Sequence, residues 1–362
     1  MLQLLNNIAS KLKRIKDMKK TLLFTVAAMI ITLSSCGKKE ASLSGAGATF
    51  PAPFYNIVFK EYAKSGSNVT YGAIGSGGGI RSLKDKTVDF GATDVFLSEA
   101  ELKDMGADIV HIPTALGGVV LSYNLKDVKG LKLTSEIISD IYLGKITNWN
   151  DAKIKELNPE ITFPDKSIIP VYRSDGSGTT AVFSEYMSKV DQAWHEAIGA
   201  GKSLKFPNGT KAVSAKGNPG VAGIIAETEG AIGYIGSEYA LALNMSSALL
   251  RNSSGNFVAA DSKSISASAN VDIPADTRVV ITNSSNPEAY PISTFTWIIA
   301  YKEQSYNNRT EDQYKALVGL LNYIISPEGQ EIATKTHYAP LPAPAVEKTK
   351  AIIQSMTYNS SK

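Results

Sequence analysis

Three times along this chain an apolar, strand-like stretch runs through a cluster of Gly, Ser and Thr straight into a helical pattern. The clusters are GAGATFPAP (45–53), GSGGG (75–79) leading into Ile80, and RSDGSGTT (173–180) leading into AVFSEYMSKV. A fourth strand-like run, FGATD (90–94), ends on a carboxylate before a polar turn and another helix. Repeated strand–turn–helix junctions restrict the chain to the α/β class, with the turns at the carboxyl ends of strands. Turns at that end of a sheet can converge, and their helix N-termini present unpaired N–H groups and partial positive charge.

Hydrophobic periodicity extends this pattern along the chain. Strands are expected at 42–44, 69–74, 88–92, 109–112, 118–124, 168–172 and 230–235, with a long β-rich run at 290–301. Helices are expected at 53–64, 79–84, 98–105, 135–142, 179–190, 218–229, 311–325, 327–336 and 345–356. The Ser-, Asn- and Ala-rich stretch 252–274 reads as surface loop with a weak helix. No internal repeat is present. The runs at 118–124 and 292–300 are the candidates for chain crossings between two lobes that close on a ligand.

The first residues belong to export. Met18-Lys19-Lys20 is a basic start, and the 13 residues from Thr21 to Leu33 form an apolar core too short to span a bilayer comfortably. Leu33-Ser-Ser-Cys36 resembles a bacterial lipobox, in which Cys36 is lipidated and becomes the mature N-terminus. Met18 is the expected initiator, 1–36 the signal peptide and 37–41 a polar tether. Of the 37 basic and 34 acidic residues, six and one fall in 1–36, so the rest carries 31 against 33, a formal charge of −2. No broad positive field remains to hold nucleic acid, so an anion must be held by directed hydrogen bonds. The single cysteine leaves the exported part without a disulfide.

Arg173 offers a planar fork of donors, and Asp175 sits two residues on, close enough to steer it. Gly176 and Gly178 loosen the turn, while Ser177, Thr179 and Thr180 add hydroxyls. Together these describe a tetrahedral oxyanion site, although the same residues also make an ordinary capped helix. Asp94 has two readings as well: N-cap of the next helix, or a ligand-facing carboxylate. In the second case it selects an anion that still carries a proton, which phosphate does at neutral pH and sulfate does not. A site built around one buried hydrogen bond discriminates by about 10⁴ to 10⁵.

Other chemistry finds no support. There is no GxxxxGK[ST] and no GxSxG around Ser76 or Ser177. His111, His195 and His337 have no metal-ligand spacing, so neither metal nor other cofactor is expected. His195 is expected on a helix surface, and Trp149 as a turn anchor.

Taken together, LSGAGATFPAPFY, GSGGGI, VDFGATD, GGVVLSYN, DIYLGKITNWND, RSDGSGTT and GAIGY resemble the periplasmic phosphate-binding lipoproteins of bacterial ABC phosphate importers, from about Ser42 to Pro342. The resemblance implies a type II periplasmic-binding-protein fold. Lobe I would comprise 42–121 and 290–362, and lobe II 122–289, closing like a clamshell. It implies that Thr49 and the Phe50 N–H, Ser76, Asp94, Arg173, Ser177, Gly178 and Thr179 contact phosphate, with Asp175 orienting Arg173. Gly77 and Thr93 stand where the family often has Ser, and neither side chain is expected to touch ligand. The partners implied are inorganic phosphate, the permease subunits with their ATPase, and a membrane reached through the lipid on Cys36, the protein being a monomer. A phosphomonoesterase with Ser76 or Ser177 as nucleophile, and a binder of another oxyanion, are the competing readings. No histidine, lysine or metal cluster is placed by sequence to activate a serine, so no enzyme is expected.

Overall fold

Strands and helices alternate as the junction pattern requires. The protein is described by a computed structural model that covers Met1 and residues 41–207 and 211–359. Residues 2–40, which hold the expected signal peptide after Met1, Cys36 and nearly all of the expected tether, lie outside these described residues. The first part of the chain gives β1 (Ser42–Gly47), α1 (Ala52–Ala63), β2 (Asn68–Ala73), α2 (Ser76–Lys84), β3 (Phe90–Thr93), α3 (Glu99–Met105) and β4 (Ile109–Tyr123). Next come β5 (Lys132–Leu133), α4 (Ser135–Tyr142), α5 (Ala152–Leu157), β6 (Ile169–Arg173), α6 (Gly178–Val190), α7 (Gln192–Ala197), β7 (Val213–Ala215), α8 (Gly217–Glu227), β8 (Ala231–Gly236) and α9 (Ser237–Ala242). The chain closes with β9 (Ser246–Ser247), β10 (Leu249–Arg251), β11 (Phe257–Val258), α10 (Ser262–Ser268), β12 (Ser293–Tyr301), α11 (Glu311–Ile324), α12 (Pro327–Lys335) and α13 (Ala343–Gln354).

One sheet runs β2-β1-β3-β12-β4-β8-β6-β7, with β9 also paired to β4. It has two parallel wings, β2-β1-β3 and β8-β6-β7, joined through antiparallel strands β12 and β4. Residues 109–118 of β4 pair with β12, and residues 119–123 pair with β8. The sequence predicts two strands here and the structure has one. Pro113, Thr114 and the Gly117-Gly118 pair break the apolar run, but ladders on both sides carry the backbone through. Between Thr296↔Ala115 and Trp297↔Pro113 the register shifts by one residue. Pro113 has no N–H for the ladder, and a bulge is where a strand tolerates that loss.

Short elements account for most other differences. Helices α5, α7 and α9 have six residues each, less than two turns, so their period is not legible. Helix α2 begins three residues before the predicted start, taking the glycines into its first turn. Gly79 is needed there because a Cβ would lie 2.4 Å from Gly47 Cα and 2.5 Å from the Ala46 carbonyl oxygen. That absence of a side chain is what lets the helix lie on strand β1.

Aromatic packing fixes each wing. Tyr55, Phe59, Tyr71 and Phe90 interlock beneath the first wing, with ring centroids 4.9 to 6.4 Å apart. Tyr142, Phe183, Trp194 and Tyr234 do the same beneath the second. Each ring removes roughly 150–250 Å² from water, so these clusters dominate the burial that holds the wings together. Trp149 is fully buried and donates Nε1–H to the Gly230 carbonyl at 3.0 Å, anchoring its turn as expected. His195 is exposed on α7.

Candidate functional site

All six parallel strands deliver residues to one hydrogen-bonded cluster at their carboxyl ends. From the first wing, β1 leads to Thr49, β2 to Ser76 and β3 to Asp94. From the second, β6 ends on Arg173, β7 leads to Gly217 and Asn218, and β8 ends on Gly236. Thr49, Phe50, Ser76, Asp94, Arg173, Ser177 and Thr179 are all at most 4% exposed.

Arg173 donates from Nε and Nη2 to the two carboxylate oxygens of Asp175, both at 2.7 Å. This side-on pair fixes the guanidinium plane and leaves the Nη1 edge, which reaches Thr179 Oγ1 at 3.4 Å. Asp175 also accepts from Gly217 N at 3.0 Å. Burial works to raise the Asp175 pKa, but the hydrogen bonds and charge of Arg173 outweigh it and hold the carboxyl below its ordinary range.

Ser177 is the N-cap of α6, its hydroxyl accepting from Thr180 N at 3.0 Å. Next to it, Gly178 N donates to Ser76 Oγ at 3.1 Å across the wings. A Cβ on Gly178 would come within 2.6 Å of Asp94 Oδ2 and 2.5 Å of Ser76 Oγ, so only glycine permits this approach. Ser76 Oγ also accepts from Asp94 N at 3.4 Å. The cap reading of the 173–180 segment and its place in the buried cluster are therefore both true of it.

Asp94 is not a helix cap, because Ser98 caps α3. Its Oδ1 accepts from Thr296 Oγ1 at 2.9 Å, and its backbone carbonyl from Thr294 Oγ1 at 3.1 Å. Thr296 precedes Trp297, which pairs with Thr93 in the antiparallel β3–β12 ladder, so strand register brings its hydroxyl to the carboxyl. Burial pushes the Asp94 pKa up to about 7, against the opposing pull of Thr296, Arg173 and Ser76. An open cavity of about 560 Å³ has Asp94 in its wall, together with Phe96, Val182 and Val279.

Phe50 contributes its ring and carbonyl to the packing. The ring meets Tyr338 edge-on at 6.0 Å, and the Tyr338 hydroxyl donates to Phe50 O. Gly77 and Thr93 each make a hydrogen bond within the protein. Gly77 N donates to Gly176 O at 2.9 Å, joining the two glycine turns, and Thr93 Oγ1 turns back to Val95 O at 2.6 Å.

Several participants escape the sequence reading. Asn218 bonds to Thr49 and Thr179, Tyr239 donates to Thr49 O at 2.6 Å, and Thr296 holds Asp94. Asn218 lies in Ala215-Lys-Gly-Asn-Pro-Gly, a fifth strand–polar turn–helix junction. Strand β7 is only three residues long, which hid it. Glu238 is 1% exposed and neither carboxyl oxygen has a hydrogen-bond partner. Burial holds its pKa well above the usual range; the nearby Tyr338 hydroxyl offsets this little, its proton being committed to Phe50 O.

Among the described residues no group of three or more His, Cys, Asp or Glu could hold a metal ion. His111 is buried, accepts from Leu97 N through Nε2 at 3.1 Å, and is pushed down to about 4 chiefly by burial. Among the described residues no helix is long and apolar enough to cross a membrane.

Residues 34–328 match the family model of the PBP superfamily domain. The chain is 39% identical over 319 residues to the phosphate-binding protein PstS of Xylella fastidiosa strain 9a5c, covering 86% of this chain and 85% of that one. With PstS of Haemophilus influenzae it shares 36% over 329 residues, covering 89% and 96%. Among solved structures, the phosphate-bound high-affinity periplasmic phosphate-binding protein PfluDING superposes with a TM-score of 0.69 at 20% identity, covering 86% and 93%. The phosphate-binding protein of Stenotrophomonas maltophilia gives 0.66 at 19%, covering 86% and 94%. At these identities the likeness to the two structures is one of fold.

Proposed function

The chain belongs to the phosphate-binding protein family of the PBP superfamily and has the type II periplasmic-binding-protein fold, and we propose that it captures inorganic phosphate outside the cytoplasmic membrane for delivery to an ABC importer. The observation that carries this reading is the joint burial of Arg173 and Asp94 among hydroxyls and helix N-termini. Thr49, the Phe50 N–H, Ser76, Arg173, Ser177, Gly178 and Thr179 supply the donors in this proposal. Asp94 is the one carboxyl that meets the ion. Asp175 neutralises and orients Arg173 before the ion arrives, so the site is organised in advance.

A buried cluster admits an ion only by parting. The bonds that would break include Gly178 N to Ser76, Gly77 N to Gly176 O, Asn218 to Thr49, Tyr239 to Thr49 O, and the Lys202–Glu101 and Arg278–Glu99 ion pairs at 2.6 and 3.0 Å. We assign residues 42–121 and 290–362 to one lobe and 122–289 to the other, hinged where β4 changes partner from β12 to β8. Lipidation at Cys36, synthesis from Met18, docking on permease subunits that work with an ATPase, and a monomeric state belong to the same proposal. It includes no turnover, and metal-dependent release of product from a phosphomonoester by the purified protein would replace it with the phosphatase reading.

Calorimetry with phosphate and sulfate tests the role of Asp94. With its carboxyl near pKa 7, a proton between Asp94 and the ligand comes from phosphate at high pH and from Asp94 itself at low pH. Discrimination against sulfate should therefore be large at pH 8.5 and shrink as pH falls through about 7. Asp94→Asn, which can donate as well as accept, should weaken it by roughly 100-fold or more at pH 8.5. Equal affinity of the unaltered protein for both anions at pH 8.5 would remove Asp94 from this role.

A further inference from the structure

Resting on the phosphate reading, we propose that Asn218 is the positioning residue that makes Thr49 and Thr179 hydrogen-bond donors toward the bound anion. Asn218 is fully buried at the second position of α8. Its Oδ1 accepts from Gly236 N at 3.0 Å. A backbone N–H can only donate, so this bond fixes which end of the amide is oxygen. Nδ2 must then face the other way, where it donates to Thr49 Oγ1 at 3.0 Å and Thr179 Oγ1 at 3.1 Å.

The consequence lies in the hydroxyl protons. Thr49 Oγ1 receives two N–H donors, Nδ2 and the backbone N of Asn218, the second at 3.1 Å. Thr179 Oγ1 receives Asn218 Nδ2 and Arg173 Nη1. A hydroxyl has two acceptor lone pairs and one proton. With both lone pairs occupied by donors, the proton cannot point at Asn218 or Arg173 and is left for another acceptor. Asn218 thus holds two hydroxyls from opposite wings as donors, which is what an oxyanion requires. A carboxylate in its place would accept from both and turn both protons away from the ligand. The charged and titratable groups around this node are Arg173 at Thr179, Asp175 at Gly217 N, Tyr239 at Thr49 O and the buried Glu238 carboxyl against Gly236, with Asp94 across the cluster.

The test is phosphate calorimetry on the unaltered protein, Asn218→Asp and Asn218→Ser, each with and without Thr49→Val, with unfolding midpoints recorded without ligand. At pH 8 Asn218→Asp should weaken binding by about 100-fold or more, and part of that loss should return near pH 5, where a neutral acid regains one donor. Thr49→Val should cost about 10-fold or more in the unaltered background and less than about 3-fold beside Asn218→Asp, since that hydroxyl would already be turned away. A merely structural role would lower the midpoint but leave the Thr49→Val cost the same in both backgrounds. Should Asn218→Asp show no cooperative melt, Asn218→Ser carries the same comparison, because the shorter side chain cannot span both threonines. Unchanged affinity in a folded Asn218 variant, or an undiminished Thr49→Val cost, overturns the assignment. Failure of the unaltered protein to bind phosphate overturns the proposed function and this assignment with it.

Discussion

Arg173 and Arg309 are both buried and both paired with an aspartate, yet their surroundings put them to different uses. The partner of Arg173 is two residues away, so one strand end sets the whole pair. The partner of Arg309, Asp89, is 220 residues away and also accepts from Ser44 N and Oγ, so this pair pins the C-terminal part of the chain beside β1 and β3. Arg173 gives its side-on fork to Asp175 and keeps Nη1 facing the Thr179 hydroxyl inside the cluster. Arg309 uses Nη1 for Asp89, lies 5.4 Å from the centre of the Tyr306 ring, and has Nε and Nη2 sealed without a partner. Burial lowers the Arg309 pKa to about 10. A buried guanidinium becomes part of a site only where its spare donors meet other donors around a common point.

The largest effect should come from Arg173→Ala, which should weaken phosphate binding by about 4 kcal/mol, nearly three decades in the dissociation constant. Calorimetry on the folded variant checks it, and an unchanged constant would make the two arginines equivalent. Next, Arg309→Ala should cost roughly 3 kcal/mol of stability in denaturant unfolding by leaving Asp89 buried and unpaired, with phosphate affinity kept within about twofold. Replacing both members of that pair by Leu should recover only part of the loss, because Ser44 N and Oγ lose their acceptor. Smallest is a change of slope at Glu238. Its folded pKa is raised, so the folded state holds a proton that the unfolded chain releases. Its contribution to stability is therefore complete below the ordinary glutamate pKa of about 4.3 and declines as pH rises toward the raised value. Glu238→Gln should flatten that decline and melt about 2 °C or more above the unaltered protein at pH 8. Parallel pH profiles for the two would show that the carboxyl is not held neutral.

Much of this was legible before any coordinates. The strand–turn–helix junctions at Thr49, Ser76, Asp94 and 173–180 declare themselves because Gly, Ser, Thr and Asp are the residues that cap helices and bend chains, and those preferences act locally. The Arg173–Asp175 pair belongs to the same local class. What stayed hidden depends on distant partners. Asn218 follows a strand of only three residues, and nothing nearby in sequence announces that its amide faces two threonines 169 and 39 positions away. Thr296 reaches Asp94 because β12 pairs antiparallel with β3 with Trp297 opposite Thr93, and register between strands is set by pairing.

By itself the sequence determined the α/β class, the chemistry of the strand-end turns and the donors available to an oxyanion, because each follows from side-chain type and short-range geometry. Only the tertiary structure decided that six turns from two wings share one buried cluster, that Asp94 meets Thr296 and is raised to about 7, and that Asn218 directs two hydroxyls. The reason is physical: burial and hydrogen-bond direction are properties of groups brought together by folding, and neither exists along an extended chain.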